Sequence, residues 1–288
     1  MKVLFLNYNA FTHAWTKYSG LEFVTDPKKA DIIYCSTAAL LSKALKVKDK
    51  YKKELVCWLW DVPLHQKTWD AKVKMLKGCD LIISASKNTQ KELLEKADIK
   101  SEQIYFYHEL QDLVPYKENS SNYFIQVSRY AETKRFQLSV DAFEGSDLDL
   151  ACVGFKGLRV YYSKLRQSAG KNVSFAVGME HKEKIELLKN SIALLSPSIF
   201  EGWGLSPMES IACGRPILLS DTPIFREIYG DSALYHKVDD VEDYRGKINL
   251  LHQDKILQKK IVTECQKIIE PFSPQGFAER VTSFLVYY

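Results

Sequence analysis

Apolar runs of strand length recur along the chain, separated by stretches whose apolar residues fall at helical spacing. In the first part the runs occupy residues 2–7, 31–35, 54–60, 80–85 and 103–107. In the second they occupy 123–128, 148–153, 173–177, 192–196, 216–220 and 233–236. Amphipathic stretches such as 86–96, 134–143, 182–189 and 209–213 lie between them. Runs that are apolar throughout, rather than alternating, predict strands covered on both faces, and their alternation with helices predicts parallel sheets. Two successive sets predict an α/β fold with two doubly wound domains.

Punctuation sets the expected boundaries. Residues 113–122 are rich in Pro, Ser and Asn and carry no periodicity, which gives domains at 1–117 and 118–271. A second break at Pro271-Phe-Ser-Pro274 precedes a helical stretch, and 272–288 is expected to pack away from the domain before it. No repeat or low-complexity tract appears. The longest apolar runs are only strand-length, so no transmembrane helix is expected. The N-terminal run is followed by Tyr and Asn with no cleavage-type segment, and it reads as a first strand rather than a signal peptide.

Composition adds little to this picture. At 288 residues, 46% hydrophobic and 26% charged, the chain has the make-up of a water-soluble globular protein. Six cysteines (35, 57, 79, 152, 213, 265) lie far apart and form no C-x-x-C pair, which suits small buried hydrophobes in a reducing cytoplasm. Charge is more telling, because the net +4 is uneven. Through Lys117 there are 19 Lys and no Arg against 14 acids; the remainder has 21 basic and 22 acidic residues. Lys43, Lys46, Lys48, Lys50, Lys52 and Lys53 concentrate the excess. They read either as a solvated face or as a weak peripheral contact with an anionic membrane surface or acidic acceptor. The cluster lacks arginine and interleaved aromatics, so nucleic acid is not the expected partner.

The densest chemistry lies in Pro197-Ser-Ile-Phe-Glu-Gly-Trp-Gly-Leu-Ser-Pro-Met-Glu209. Glu201 and Glu209 flank a turn with Gly202 and Gly204 that runs into a helix, a pattern suited to a polyhydroxylated, phosphate-bearing ligand. Ser206, Pro207 and Glu209 also fit a capping box with Ser206 at the N-cap, so Glu209 has a purely structural reading as well. Arg129 and Lys134 follow another expected strand, on the side where doubly wound sheets bind ligands, and are well placed for a diphosphate. No G-x-G-x-x-G follows any strand, which argues against a dinucleotide-binding enzyme. No cluster of His, Cys and carboxylates has metal spacing, and neither metal nor cofactor is expected.

Together these residues resemble the donor-binding domain of retaining GT-B glycosyltransferases, specifically glycosyltransferase family 4. Glu201 and Glu209 match its E-x7-E pair, and Arg129 and Lys134 its basic pair. The strand end at 196–199, Cys213-Gly-Arg-Pro216 and Phe225-Arg-Glu-Ile228 match further motifs. The resemblance covers most of 122–271. It implies two Rossmann-like domains facing across a cleft, the first short and completed by the helix 272–288. It also implies metal-independent transfer of a sugar, with retained configuration, from a nucleoside-diphosphate sugar to an acceptor hydroxyl on a sugar, a lipid-linked carrier or a protein. Glu201 would then bond the donor sugar and Glu209 the ribose. Arg129 and Lys134 would hold the diphosphate, Gly204, Leu205 and Ser206 would assist through their backbone, and Gly178 and Met179 would lie near the base.

The first domain departs from the family. Trp60 stands where it usually has a sugar-contacting histidine, while Asp61 remains as a candidate base or nucleophile. His65 is a candidate substitute for the histidine, and Trp60 a candidate stacking face. Residues 7–13 lack the family's glycine-rich turn. These departures keep a second reading open, a nucleotide-sugar-binding or scaffold protein that has lost transfer.

Overall fold

The computed structural model describes residues 1–6, 15–62, 68–108, 110, 112–155, 157 and 159–287. His65 and residues 7–13 therefore lie outside the described residues. The chain divides into two compact units, Met1–Tyr107 with Phe272–Tyr288, and His108–Pro271.

The first unit is built on strands β1 Lys2–Phe5, β2 Glu22–Val24, β3 Ile32–Cys35, β4 Glu54–Leu59, β5 Leu81–Ser84 and β6 Glu102–Gln103, with helices α1 Leu41–Tyr51, α2 Trp69–Leu76 and α3 Lys87–Ala97. All strand pairs are parallel and the order is β2-β1-β3-β4-β5-β6. Every residue of β3 and β5 is buried, as continuous apolar runs require when both faces are covered. The patterning misses β2, a three-residue edge strand that is exposed or half-buried and so carries no apolar run. It also overextends the last strand. Pairing stops at Gln103, and Phe106 and Tyr107 are buried instead in an aromatic cluster. Their rings lie 5.0 and 4.9 Å from Phe277, which also meets Trp58 at 5.4 Å. Phe277 belongs to the C-terminal helix Pro274–Tyr287, and this cluster fixes that helix to the first unit.

The second unit contains β7 Tyr123–Val127, α4 Phe136–Ala142, β8 Asp149–Gly154, α5 Arg159–Ser168, β9 Val173–Val177, α6 His181–Asn190, β10 Leu194–Ser196, α7 Leu205–Ala212, β11 Ile217–Ser220, α8 Pro223–Tyr229, β12 Leu234–His236, α9 Val241–Gln253 and α10 Lys255–Ile269. Its six strands are again parallel, in the order β12-β11-β10-β7-β8-β9. Residues 108–117 pack with this unit: the Val114 N–H donates to Ala212 O at 2.7 Å, and the Val114 carbonyl accepts from Gln266 Nε2 at 2.6 Å.

Two helix starts differ from the sequence expectation. The stretch 134–143 is not one helix: a 3₁₀ turn at Glu132–Lys134 is followed by Arg135 at φ 51°, and α4 begins only at Phe136. This left-handed residue is held by two bonds from its guanidinium to the Asp239 carboxylate, at 2.7 and 2.9 Å. The capping box at Ser206 is not formed. The N-cap of α7 is Gly204 at φ 82°, which places Ser206 at the second helical position and leaves the cap without a side-chain bond. Glycine serves here because φ is positive and a Cβ would lie 2.9 Å from the Phe225 ring.

The six cysteines are free thiols, five of them buried. Burial pushes the Cys213 thiol up to about 12, which makes it inert as a nucleophile at neutral pH.

Candidate functional site

In the second sheet the connections run one way from β7 through β8 to β9, and the other way from β10 through β11 to β12. The order reverses between β7 and β10, and open parallel sheets bind ligands beyond the strand ends at such a point. The loops following those two strands carry Arg129 and Lys134 on one side and Glu201, Gly202 and Gly204 on the other.

Backbone and side chain lash these loops together. The Ile199 N–H donates to Thr133 O at 3.0 Å, and Lys134 Nζ donates to Phe200 O at 2.8 Å. The same ammonium meets Glu201 Oε1 at 2.6 Å, with the two side chains 12% and 17% exposed. Lys134 is itself positioned from below. Its carbonyl accepts from Gln126 Nε2 at 2.7 Å, and Gln126 Oε1 accepts from Ser139 Oγ at 2.7 Å. Gln126 is buried in β7, so the sheet interior dictates where Lys134 sits. Arg129 is exposed, and its guanidinium makes no hydrogen bond or ion pair among the described residues.

A third loop supports Arg129. The backbone at the end of β8 and just beyond it runs so close to the β7 loop that a Cβ on Gly154 would lie 1.8 Å from Ser128 O, and one on Gly157 would lie 1.9 Å from Tyr130 O. Only glycine permits this approach. The neighbouring Tyr130 is buried and its hydroxyl donates between Cys152 O (2.7 Å) and Ala176 O (3.0 Å), which pins the Arg129 loop to β8 and β9.

Glu209 is not at the third position of α7, where a capping box would need it. It sits in the second turn of α7, buried, with Oε1 at 2.5 Å from Lys184 Nζ on α6. Each glutamate of the E-x7-E pair is thus met by a lysine from another segment: Glu201 by Lys134 and Glu209 by Lys184. Leu205 and Ser206 form the first turn of α7 beside Gly204. Gly178 (φ 72°) and Met179 follow β9, two strands away from β7, so they do not join the Glu201 loop directly. They lead within a few residues into α6, which reaches the site through Lys184.

The remaining candidates lie in the first unit. Trp60 directly follows β4, half-buried, and its indole N–H donates to Ser36 O at 2.9 Å. Its ring lies edge-on to Phe106 with centroids 4.5 Å apart and 5.9 Å from Trp58. This side chain is therefore an integral part of the aromatic cluster. Asp61 follows it, half-buried. Among the lysines 43–53, Lys48 is structural, because it bonds Asp80 at 2.6 Å and Gly78 O at 2.8 Å. Lys43, Lys46, Lys50 and Lys52 are exposed. No group of three or more His, Cys, Asp or Glu is arranged to hold a metal among the described residues. No helix among them is long and apolar enough to cross a membrane.

Sequence reasoning missed Lys184, Gln126, Gly154, Gly157 and the Arg135–Asp239 bond. Gly154 and Gly157 were discoverable, since two glycines directly after a strand signal close backbone approach. Lys184 was not, because it lies on the polar side of an amphipathic helix, 25 positions from its partner.

Comparison with known proteins agrees with this geometry. Residues 112–268 match the family described as glycosyl transferases group 1. The O-antigen chain mannosyltransferase RfbU of Salmonella typhimurium is 26% identical over 200 residues, covering 62% of this chain and 52% of that protein. The alpha-1,3/1,6-mannosyltransferase ALG2 of Dictyostelium discoideum is 23% identical, covering 59% and 47%. The chain thus spans about half the length of these relatives. Among solved structures, Anabaena Alr3699/HepE in complex with UDP and glucose superimposes with a TM-score of 0.83 at 15% identity, over the whole of both chains.

Proposed function

This chain belongs to the glycosyl transferases group 1 family, and on that premise we propose that it moves a sugar from a nucleoside-diphosphate sugar to an acceptor hydroxyl, as a retaining member of glycosyltransferase family 4. The observation that carries this reading is the convergence at the β7/β10 reversal of Arg129, the Lys134–Glu201 pair and the Lys184–Glu209 pair.

Each part has a chemical task. Arg129 and Lys134 hold the diphosphate and take up the negative charge that grows on it as the glycosidic bond breaks. Glu201 accepts hydrogen bonds from hydroxyls of the transferred sugar, and Glu209 from the ribose. The free N–H groups of the first turn of α7 face an anion favourably, through Gly204, Leu205 and Ser206. Pre-placed cations of this kind neutralise a leaving diphosphate without a metal ion, and no cofactor is required. The base lies near Gly178 and Met179. On the acceptor side, assigned to the first unit, Asp61 is a candidate base. A phosphate oxygen of the leaving group deprotonating the acceptor on the same face is the alternative, and it suits a chain with Trp60 in the histidine position. His65 stays an acceptor-side candidate. The exposed lysines of α1 suit a weak peripheral contact with an anionic surface on the cytoplasmic side.

The scaffold reading has one specific support, the tryptophan locked into the aromatic cluster at the usual histidine position. Incubation of the chain with UDP- and GDP-linked hexoses in the absence of acceptor separates the two. Mannosyl and glucosyl donors come first, given the names of the relatives and the ligand of the structural neighbour. A transferase hydrolyses its donor slowly and releases sugar of unchanged anomeric configuration, read by proton NMR before mutarotation. Donor binding with no hydrolysis would establish the scaffold reading, and release of the opposite anomer would overturn retention.

A further inference from the structure

We propose that Lys184 is a positioning residue for ribose recognition, so that the Lys184–Glu209 pair, rather than the glutamate alone, makes the site select ribonucleotides over 2′-deoxyribonucleotides. The inference rests on the donor-site reading above and deepens it.

The pair is unlike the surface ion pairs elsewhere in the chain. Lys184 Nζ lies 2.5 Å from Glu209 Oε1, with the side chains 19% and 5% exposed. By contrast, Lys189–Glu186 on the same helix leaves 41% and 56% exposed and has the geometry of an ordinary solvated contact. An ammonium and a carboxylate that are both largely withdrawn from water need a reason, because desolvation offsets most of what their attraction returns. Stability alone is a weak reason. Placement supplies a better one. Lys184 sits in the first turns of α6, directly after the Gly178–Met179 segment assigned to the base, while Glu209 sits in α7 below the Gly204 turn assigned to the phosphates. The pair lies where the chain passes from one subsite to the other, which is where a ribose bridges base and phosphate.

The chemistry follows from the geometry. A carboxylate recognises a vicinal diol by accepting from both hydroxyls, which requires a fixed carboxylate plane. A free glutamate samples several rotamers and loses that freedom on binding. With an ammonium docked on Oε1, the plane is set before the nucleotide arrives. The α6 helix is in turn fixed at its start, where Glu183 Oε2 accepts from the Glu180 N–H at 3.2 Å, so the lysine approaches from a rigid support.

The test uses the whole chain and isothermal titration with UDP and GDP, each against its 2′-deoxy form. For whichever base binds, the wild type should hold the ribonucleotide about tenfold or more tighter, the usual worth of a hydrogen bond to a charged group. Lys184→Met should bring that ratio to within about threefold by weakening the ribonucleotide selectively. Lys184→Arg, which can still dock on the carboxylate, should retain most of the preference, and Lys184→Gln gives a second neutral variant should the methionine fold poorly. A neutral variant that keeps the ratio, or weakens both nucleotides alike, overturns the proposal. The outcome separates cleanly from failure of the donor-site reading. If the wild type binds neither nucleotide, both fall. If binding is lost in Lys134→Met but the ratio survives in Lys184→Met and Lys184→Gln, only the present inference falls.

Discussion

Lys134→Met lowers donor turnover by about 10²–10³-fold, the usual loss when one charge-stabilising contact to a leaving group is removed. The size follows from what this one side chain does. Its ammonium pairs with Glu201 and also holds the Phe200 carbonyl, so on the proposed reading its loss disturbs the contacts to sugar and diphosphate together. A fall in kcat larger than the rise in KM marks a contact that strengthens in the transition state. The methionine also strands a carboxylate that is only 17% exposed, and a modest fall in melting temperature should accompany the kinetic effect. Lys134→Arg keeps the charge but presents a planar fork to a site shaped for a point charge, and should recover only part of the rate. Steady-state donor hydrolysis checks both variants. Turnover within about threefold of wild type for Lys134→Met would remove this lysine from the reaction.

The second large effect comes from a residue with no side chain. Gly154→Ala places a Cβ 1.8 Å from Ser128 O, which is backbone and cannot step aside as a flexible side chain would. Either β8 or the Arg129 loop must shift. Overpacking of this kind costs about 1–3 kcal/mol, with the upper end expected where the clash is with main chain. The urea midpoint should fall accordingly, and nucleotide affinity should fall with it, because the displaced loop carries Arg129. Gly246→Ala is the control. Gly246 lies inside α9 with nothing within 4 Å of a built Cβ, so the substitution should stabilise the chain by about 0.5–1 kcal/mol. Equal midpoints for Gly154→Ala and wild type would contradict the close approach.

Much of this architecture could be read from patterning, for a physical reason. Parallel strands covered on both faces must be apolar at nearly every position, so β3, β5 and β11 announce themselves as runs. Strand β2 escapes notice because an edge strand with one open side needs no such run. The overextended β6 has the opposite cause: Phe106 and Tyr107 are apolar because they pack on Phe277, which is remote in sequence, and patterning cannot tell burial in a cluster from burial in a sheet. The glutamate pair was legible because its spacing is local, and Arg129 and Lys134 because they directly follow an apolar strand run, on the side where such sheets bind ligands. The helix start at α7 was misassigned because Ser206-Pro-Met-Glu209 satisfies the rules for a cap, whereas the positive φ of Gly204 two residues earlier wins. The lysine on Glu209 and the aspartate on Arg135 were illegible, since both are contacts between distant segments. The two units, each with a parallel sheet, themselves follow from the alternation of runs and helices.

Arg135 adopts φ 51° one residue after Lys134. A non-glycine residue in that region is costly by roughly 1 kcal/mol, and the two bonds to Asp239 offset the cost while fixing the turn that presents the lysine. Position and charge at the site are thus set by the sheet interior below, through Gln126, and by the neighbouring loop beside it.

Binding of a nucleoside-diphosphate sugar at the reversal between β7 and β10 is the role proposed for the second unit. Its most direct test is the melting temperature of the chain titrated with UDP, GDP and their hexose conjugates. At least one nucleotide should raise it with the logarithm of ligand over Kd, equivalent to about 2.7 kcal/mol at a hundredfold excess, and Lys134→Met should remove most of the rise. A melting temperature left unmoved by every nucleotide at millimolar concentration would rule that role out.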